Sequence, residues 1–189
     1  MDPMERQPGS VRWTLLLEEA AALDAAVAAV EPTIQSVFGT GAKAAVLRGD
    51  WLGHTIHPLL TDLVLGSWTS ATLLDLFGGT KSSAAAQQLI GAGLLAVGPT
   101  AWTGWAEWSA AGERDKRVGL VHAISNAVAI SLYGASYLAR RRNRRSSGVG
   151  LALAGAAFSG LGGYLGSHLA LARKVGSRHP AYGEASPEL

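Results

Sequence analysis

The chain has 189 residues, enough for one domain with a sizeable core, and only 16% of them are charged, against roughly 25% in ordinary soluble domains. A net charge of +2 leaves no basic surplus for nucleic acid, so no nucleic-acid partner is expected. The absence of cysteine excludes disulfides, thiolate metal sites and a self-held iron–sulfur cluster.

The first ten residues contain Asp2, Glu5 and Pro8 and no apolar run with a cleavage site, so no secretory signal is expected. From Trp13 to about Val30 apolar residues recur at three and four (Trp13, Leu16, Leu17, Ala20, Leu23, Val27, Val30), with Glu18, Glu19, Asp24 and Glu31 between them. This spacing predicts one amphipathic helix stopped near Pro32. A weaker helix follows over Thr33 to Leu47, undermined by Gly39 and Gly41. Residues 1–50 thus read as a helical arm that docks on the main domain. Its acidic polar face argues against lying on a bilayer surface.

Four long apolar stretches come next: Leu59 to Phe77, interrupted by Asp62; Ala84 to Ala106; Val118 to Leu138; and Gly148 to Ala172. Each exceeds or approaches the roughly 20 residues needed to cross a hydrocarbon core of about 30 Å. The last three are apolar all round, where soluble bundle helices carry charge on an outer face. Trp102, Trp105 and Trp108 at the end of the second stretch fit an interfacial belt. Gly155, Ser159, Gly163 and Ser167 form a small-residue stripe that lets helix backbones approach in lipid.

The gaps, Gly79 to Ser83, Glu107 to Arg117 and Arg140 to Ser147, are short enough to force antiparallel neighbours. The expected fold is therefore all-α, a four-helix up-down transmembrane bundle over 51–176 with an N-terminal amphipathic helical arm and a disordered tail over 177–189. The cluster Arg140, Arg141, Arg142, Arg144 and Arg145 points to the cytoplasm by the positive-inside rule. Opposing it are Lys43, Arg48, Arg114, Lys116, Arg117, Arg173, Lys174 and Arg178, together with the arm, and the balance leans to both termini inside.

Up-down topology brings the start of the first span, the end of the second, the start of the third and the end of the fourth to one membrane face. At about 1.5 Å per residue, Asp62, His122 and His168 each lie roughly 6 Å inside that face. Glu107 closes the second span there, and Asn126 lies one turn beyond His122 on the same side of its helix. His57 precedes Pro58 at the helix cap, with His54 just outside; the positive end of the helix dipole favours neutral His57 and ionised Asp62.

Each of these residues also has a plain structural reading. Intramembrane His122 and Asn126 serve as interhelical glue, His54 and Glu107 as a solvated rim, and the arginine cluster as a lipid-facing loop. Asp62 resists this most, because an ionisable group inside a span marks function by default.

Three functions are open. A b-type haem would take His122 and His168 as axial ligands, with Asn126 or Asp62 orienting an imidazole. An iron, zinc or copper ion would take His54, His57, Asp62 and Glu107, joined by His122 or His168. A non-enzymatic anchor or partner subunit of a redox protein needs neither. A transporter is disfavoured, since four spans leave little room for alternating halves and the faint likeness of the first and third spans does not amount to a repeat.

The blocks Gly53-His54-x-x-His57-Pro58-Leu59-Leu60-Thr61-Asp62, Trp68-Thr69-Ser70, Thr103 to Trp108, Arg117 to Ala123 with Asn126, Leu132 to Ser136, and Tyr164 to Leu169 resemble an uncharacterised four-helix bacterial membrane family. The likeness covers roughly Gly49 to Gly176. It departs at Thr55, where proline is usual, and at Ser167, where a second glycine is usual, a change that would crowd a flat cofactor against His168. The resemblance implies a multi-pass protein of the bacterial cytoplasmic membrane, in contact with the lipid bilayer. Members are often fused to or found near Rieske iron–sulfur domains, which implies a redox setting and a Rieske-type partner. A homo-oligomer is left open.

Overall fold

The computed structural model describes residues 7–176, so the tail expected over 177–189 lies outside the described residues. Among the described residues the chain is all-α, with seven α-helices: α1 Gly9–Glu18, α2 Asp24–Ile34, α3 Gly41–Arg48, α4 His57–Phe77, α5 Ser83–Ser109, α6 Glu113–Arg141 and α7 Arg145–Ser167. They fall into two compact units. Of the described residues, the arm unit holds those up to Thr55, Trp105–His122 and those from Tyr164 to Gly176; the core unit holds Ile56–Gly104 and Ala123–Gly163.

In the arm unit the expected single helix breaks after Glu18, not at Pro32. Pro32 sits inside α2, which runs into a wide π-type turn at Gln35–Gly39. No poor helix former explains the break, since Ala20, Ala21 and Ala22 all favour helix. The cause is tertiary. Arg117 Nη1 donates to the Glu18 carbonyl at 2.8 Å, satisfying a helix-end acceptor, and its Nε and Nη2 grip Asp24 at 2.6 and 2.9 Å. Val27, Ile34, Trp108 and Leu120 form the core here, with Val30, Phe38 and Trp105 against them. Trp108 is buried and donates to the Lys116 carbonyl at 3.0 Å, and Trp105 meets it edge-on. Of the three tryptophans expected in an interfacial belt, only Trp102 is exposed. Gln35 Nε2 donates to the Ser109 carbonyl at 2.7 Å, capping the end of α5.

In the core unit α4 and α5 are antiparallel. Thr100 Oγ1 donates to the Leu60 carbonyl at 3.3 Å, and farther along Trp68 Nε1 donates to the Ile90 carbonyl at 3.4 Å. α6 and α7 are likewise antiparallel, joined by Ser125 Oγ to the Phe158 carbonyl at 2.9 Å and Ser136 Oγ to the Gly148 carbonyl at 2.6 Å. α4 and α6 run in the same direction. Trp68 stacks on Tyr133 with ring centroids 4.0 Å apart, and Arg140 Nη1 meets Asp75 Oδ1 at 2.9 Å while its Nη2 meets Asp75 Oδ2. Both side chains of that ion pair are 1% exposed. Val64, Ala71, Ala86, Ile90, Ala129 and Ala152 complete the core.

The small-residue stripe of α7 takes a different path from the one expected. A strict four-residue step overshoots each turn by about 40°, so a methyl at Gly163 would meet nothing within 4 Å and Ser167 is exposed. Contacts follow Gly155, Ser159, Gly162 and Gly166 instead. Gly155 lies against Tyr133, and Ser159 is buried. Two helical stretches, Glu113–Arg141 and Arg145–Ala172, are long and apolar enough to cross a membrane. α4 falls outside that class, carrying Asp62 and Asp75, as does α5, carrying Gln87, Gln88 and Pro99.

Candidate functional site

His57 opens α4, with Pro58 in the first turn where its missing N–H costs no hydrogen bond. Its Nδ1 lies 2.9 Å from the Thr100 carbonyl and 3.1 Å from Thr103 Oγ1. A carbonyl can only accept, so Nδ1 carries a proton and the ring is fixed against α5. Thr61, one turn on, donates to the His57 carbonyl at 2.9 Å. The ring also covers Gly104, where an added methyl would stand 2.8 Å from Cε1. All these residues lie in the core unit.

Asp62 is not part of this group. Five residues after His57, it points about 140° round the helix from it, and the structure leaves it exposed. The expected convergence fixed its position along the helix but not the direction it faces. Asn126 does face inward, so close to α7 that a methyl at Gly162 would stand 2.3 Å from its Oδ1.

The other candidates belong to the arm unit. His54 is exposed, with Nδ1 3.1 Å from the Thr55 carbonyl. The ring of His122 rests on Gly166, where a methyl would come within 3.0 Å of Cε1. Glu107 is buried beneath Gly176, whose φ of +91° turns the chain over both Glu107 and Thr55.

His168, at the start of a wide turn spanning His168–Ala172, puts Nε2 2.8 Å from Glu18 Oε1. The second oxygen of Glu18 lies 3.5 Å from Arg173 Nη1, and Arg173 Nε donates to Asp115 at 2.7 Å. Glu18, its side chain 3% exposed, is thus the buried hub of a cluster that reaches the surface at Arg173. Sequence reading put it on the solvated face of the arm. The signal was present: the arm's polar face is acidic, and basic residues gather at the start of α6 and just beyond α7. Arg114 meets Glu19 at 2.9 Å, Lys116 meets Glu31, and Arg117 meets Asp24.

His122 and His168, the two residues expected as axial ligands of a haem, each pack against a neighbouring segment within the arm unit. The Nε2 of His168 lies 2.8 Å from Glu18 Oε1, and the Cε1 edge of the His122 ring is the part nearest Gly166. Ser167 is exposed. For the metal set, His54 and Asp62 are exposed, and among the described residues no three His, Asp or Glu side chains converge as a metal ion requires.

Two carboxylates of α2 titrate below their ordinary values. The Arg117 hydrogen bonds lower Asp24 from 3.8, against a smaller opposing effect of burial. Those of Lys116 lower Glu31 from 4.5, again against burial and with help from Gln35. A carboxyl depressed in the folded state stabilises that state fully above its unfolded pKa, and the contribution is lost as pH falls through the folded value. Acid should therefore loosen α2 from the start of α6. Limited proteolysis of the arm is expected to be unchanged from pH 8 to about pH 6 and to accelerate below about pH 4.

A family model described as "Predicted membrane protein (DUF2231)" matches residues 53–179. No curated protein and no solved structure matches the chain.

Proposed function

We propose a role for a chain that belongs to DUF2231, a family of predicted membrane proteins: it is a multi-pass, non-enzymatic membrane subunit in which α4 to α7 form four spans and the arm unit is the part offered to a partner protein. One observation carries the four-span reading. Leu59, Leu63, Leu73, Leu95, Ile124 and Leu138 on α4, α5 and α6 are each more than half exposed, and Leu153, Phe158 and Leu161 on α7 are exposed too, while the same four helices bury Trp68, Ile90, Tyr133 and Ala152. Apolar side chains on the outside of every helix of the core unit suit hydrocarbon, not water. α4 and α5 cross with the help of their partners, because Asp75 is neutralised within the protein by Arg140.

The anchor reading is supported by what the polar residues do. His57, Asn126, His168 and Glu18 each hold one helix against another, the work of interhelical polar contacts in lipid. We assign the partner to the redox proteins of the Rieske class and the location to the bacterial cytoplasmic membrane on the strength of the family resemblance.

The absence of cysteine makes topology directly measurable. Single cysteines at Thr80, Ala111 and Asn143 are expected to label with an impermeant maleimide from one side for Thr80 and Asn143 and from the other for Ala111. Labelling of all three from the same side would sink the four-span reading. Failure of a Rieske-type protein to co-purify with a correctly inserted chain would remove the partner assignment alone.

A further inference from the structure

The first and third spans show only faint likeness in sequence, yet their contacts share one register. A shift of 65 positions carries His57, Val64, Trp68, Ala71 and Asp75 onto His122, Ala129, Tyr133, Ser136 and Arg140. A shift of 62 carries Ala86, Ile90, Gly93 and Gly104 onto Gly148, Ala152, Gly155 and Gly166. The core positions coincide: Val64 with Ala129, Trp68 with Tyr133, Ala71 with Ser136 and Ile90 with Ala152 are all buried.

Helical periodicity alone would align buried faces, but it would not reproduce the same pairing of residue types across two helices. In the first hairpin a histidine lies on one glycine of the facing helix, and an aromatic ring lies on another glycine eleven residues away: His57 on Gly104, Trp68 on Gly93. In the second, His122 lies on Gly166 and Tyr133 on Gly155, with the same spacing of eleven on both helices. Eleven residues is close to three full turns, which keeps each pair on one face.

Two copies of a hairpin whose first helices run parallel are related by a rotation about an axis along the helices, and residues near that axis meet their own counterparts. Trp68 stacks on Tyr133, and Asp75 pairs with Arg140. Both contacts join equivalent positions.

We propose that α4–α5 and α6–α7 are two copies of one helical hairpin, paired about a pseudo-twofold axis between Trp68 and Tyr133. Opposite charges at one equivalent position, Asp75 and Arg140, make each hairpin the partner of the other and reject a second copy of itself. A hairpin paired with its own copy would set Asp75 against Asp75, or Arg140 against Arg140, at a place where the side chains are 1% exposed. Like charges there have no water to screen them, so the native pair selects the partner by repelling the alternative.

Exchange of two residues across a true pseudo-twofold axis leaves the contact intact, and the full-length chain in detergent can test this. Asp75→Arg and Arg140→Asp are each expected to lower the unfolding midpoint by about 10 °C, and the double exchange to return it to within about 3 °C of the parent. Exchange of Trp68→Tyr with Tyr133→Trp adds no charge and reads the axis even where a charge variant does not insert. It too should unfold within about 3 °C of the parent and above either single change. A Trp/Tyr double no more stable than its lower single variant overturns the repeat. The combined variant Asp75→Leu with Arg140→Leu removes the discrimination and is expected to add a larger oligomer by light scattering. A size distribution identical to the parent's overturns the partner-selecting role of the charge pair.

Discussion

Gly93→Ala is expected to lower the unfolding midpoint of the purified protein by about 4–10 °C, while Gly98→Ala, five residues along the same helix, leaves it within about 2 °C. The reason is space. A methyl at Gly93 would stand 2.2 Å from Trp68 Nε1 and 2.5 Å from Cδ1, whereas nothing lies within 4 Å of one at Gly98. Trp68 cannot swing aside without giving up both its hydrogen bond to the Ile90 carbonyl and its stack on Tyr133. Overpacking of this kind costs about 1–3 kcal/mol, and in a chain of this size each kcal/mol shifts the midpoint by about 2–4 °C. Gly155→Ala, with its methyl 3.0 Å from Tyr133, should fall between the two. Thermal unfolding followed by tryptophan fluorescence ranks all three. Equal midpoints for Gly93→Ala and Gly98→Ala would mean that α4 and α5 do not pack as described.

Glu18→Ala is expected to release α1. The substitution takes from His168 the partner of its Nε2 and from Arg173 one of its two carboxylates, leaving Asp115. Hydrogen bonds to a charged group are worth about 1.5–3 kcal/mol each, so opening of this helix should become about tenfold more frequent, or more. Arg12 lies within α1 and is exposed, so tryptic cleavage there reports the opening. Glu18→Gln keeps an oxygen that can accept from His168 and should show a smaller rise. Cleavage at Arg12 that does not change in Glu18→Ala would remove Glu18 as the hub of the cluster.

The long helices α4 to α7 were legible in the sequence because they need only composition and length, although on those grounds only the last two are apolar enough to cross a membrane. What failed was direction around the helix. Asp62 was expected among the converging polar residues yet is exposed, and the stripe Gly155, Ser159, Gly163, Ser167 was drawn one residue off the path that Gly162 and Gly166 follow. Depth accumulates along the chain, whereas a facing is lost within two or three turns unless the partner helix is known. Glu18 escaped for a related reason. The acidic arm face and the basic ends of α6 and α7 were each visible, but their meeting is long-range, and no local pattern records it. The break after Glu18 is of the same kind, set by Arg117 and not by any residue in the break itself.

The ion pairs of the arm bear on when the orientation of the chain is decided. Arg114, Lys116, Arg117 and Arg173 are matched in the folded protein by Glu19, Glu31, Asp24, Glu18 and Asp115. At the other end of α6, Arg141, Arg142 and Arg144 stay exposed. Orientation is counted in lysines and arginines while the spans enter the bilayer, and acidic residues contribute little to that count. The finished molecule presents a different tally, with one end of α6 close to electrical balance and the other strongly positive. Under the proposed four-span reading, charges that compete during insertion are thereby silenced once the arm has folded onto them, so the field around the finished protein would differ from the field that set the topology.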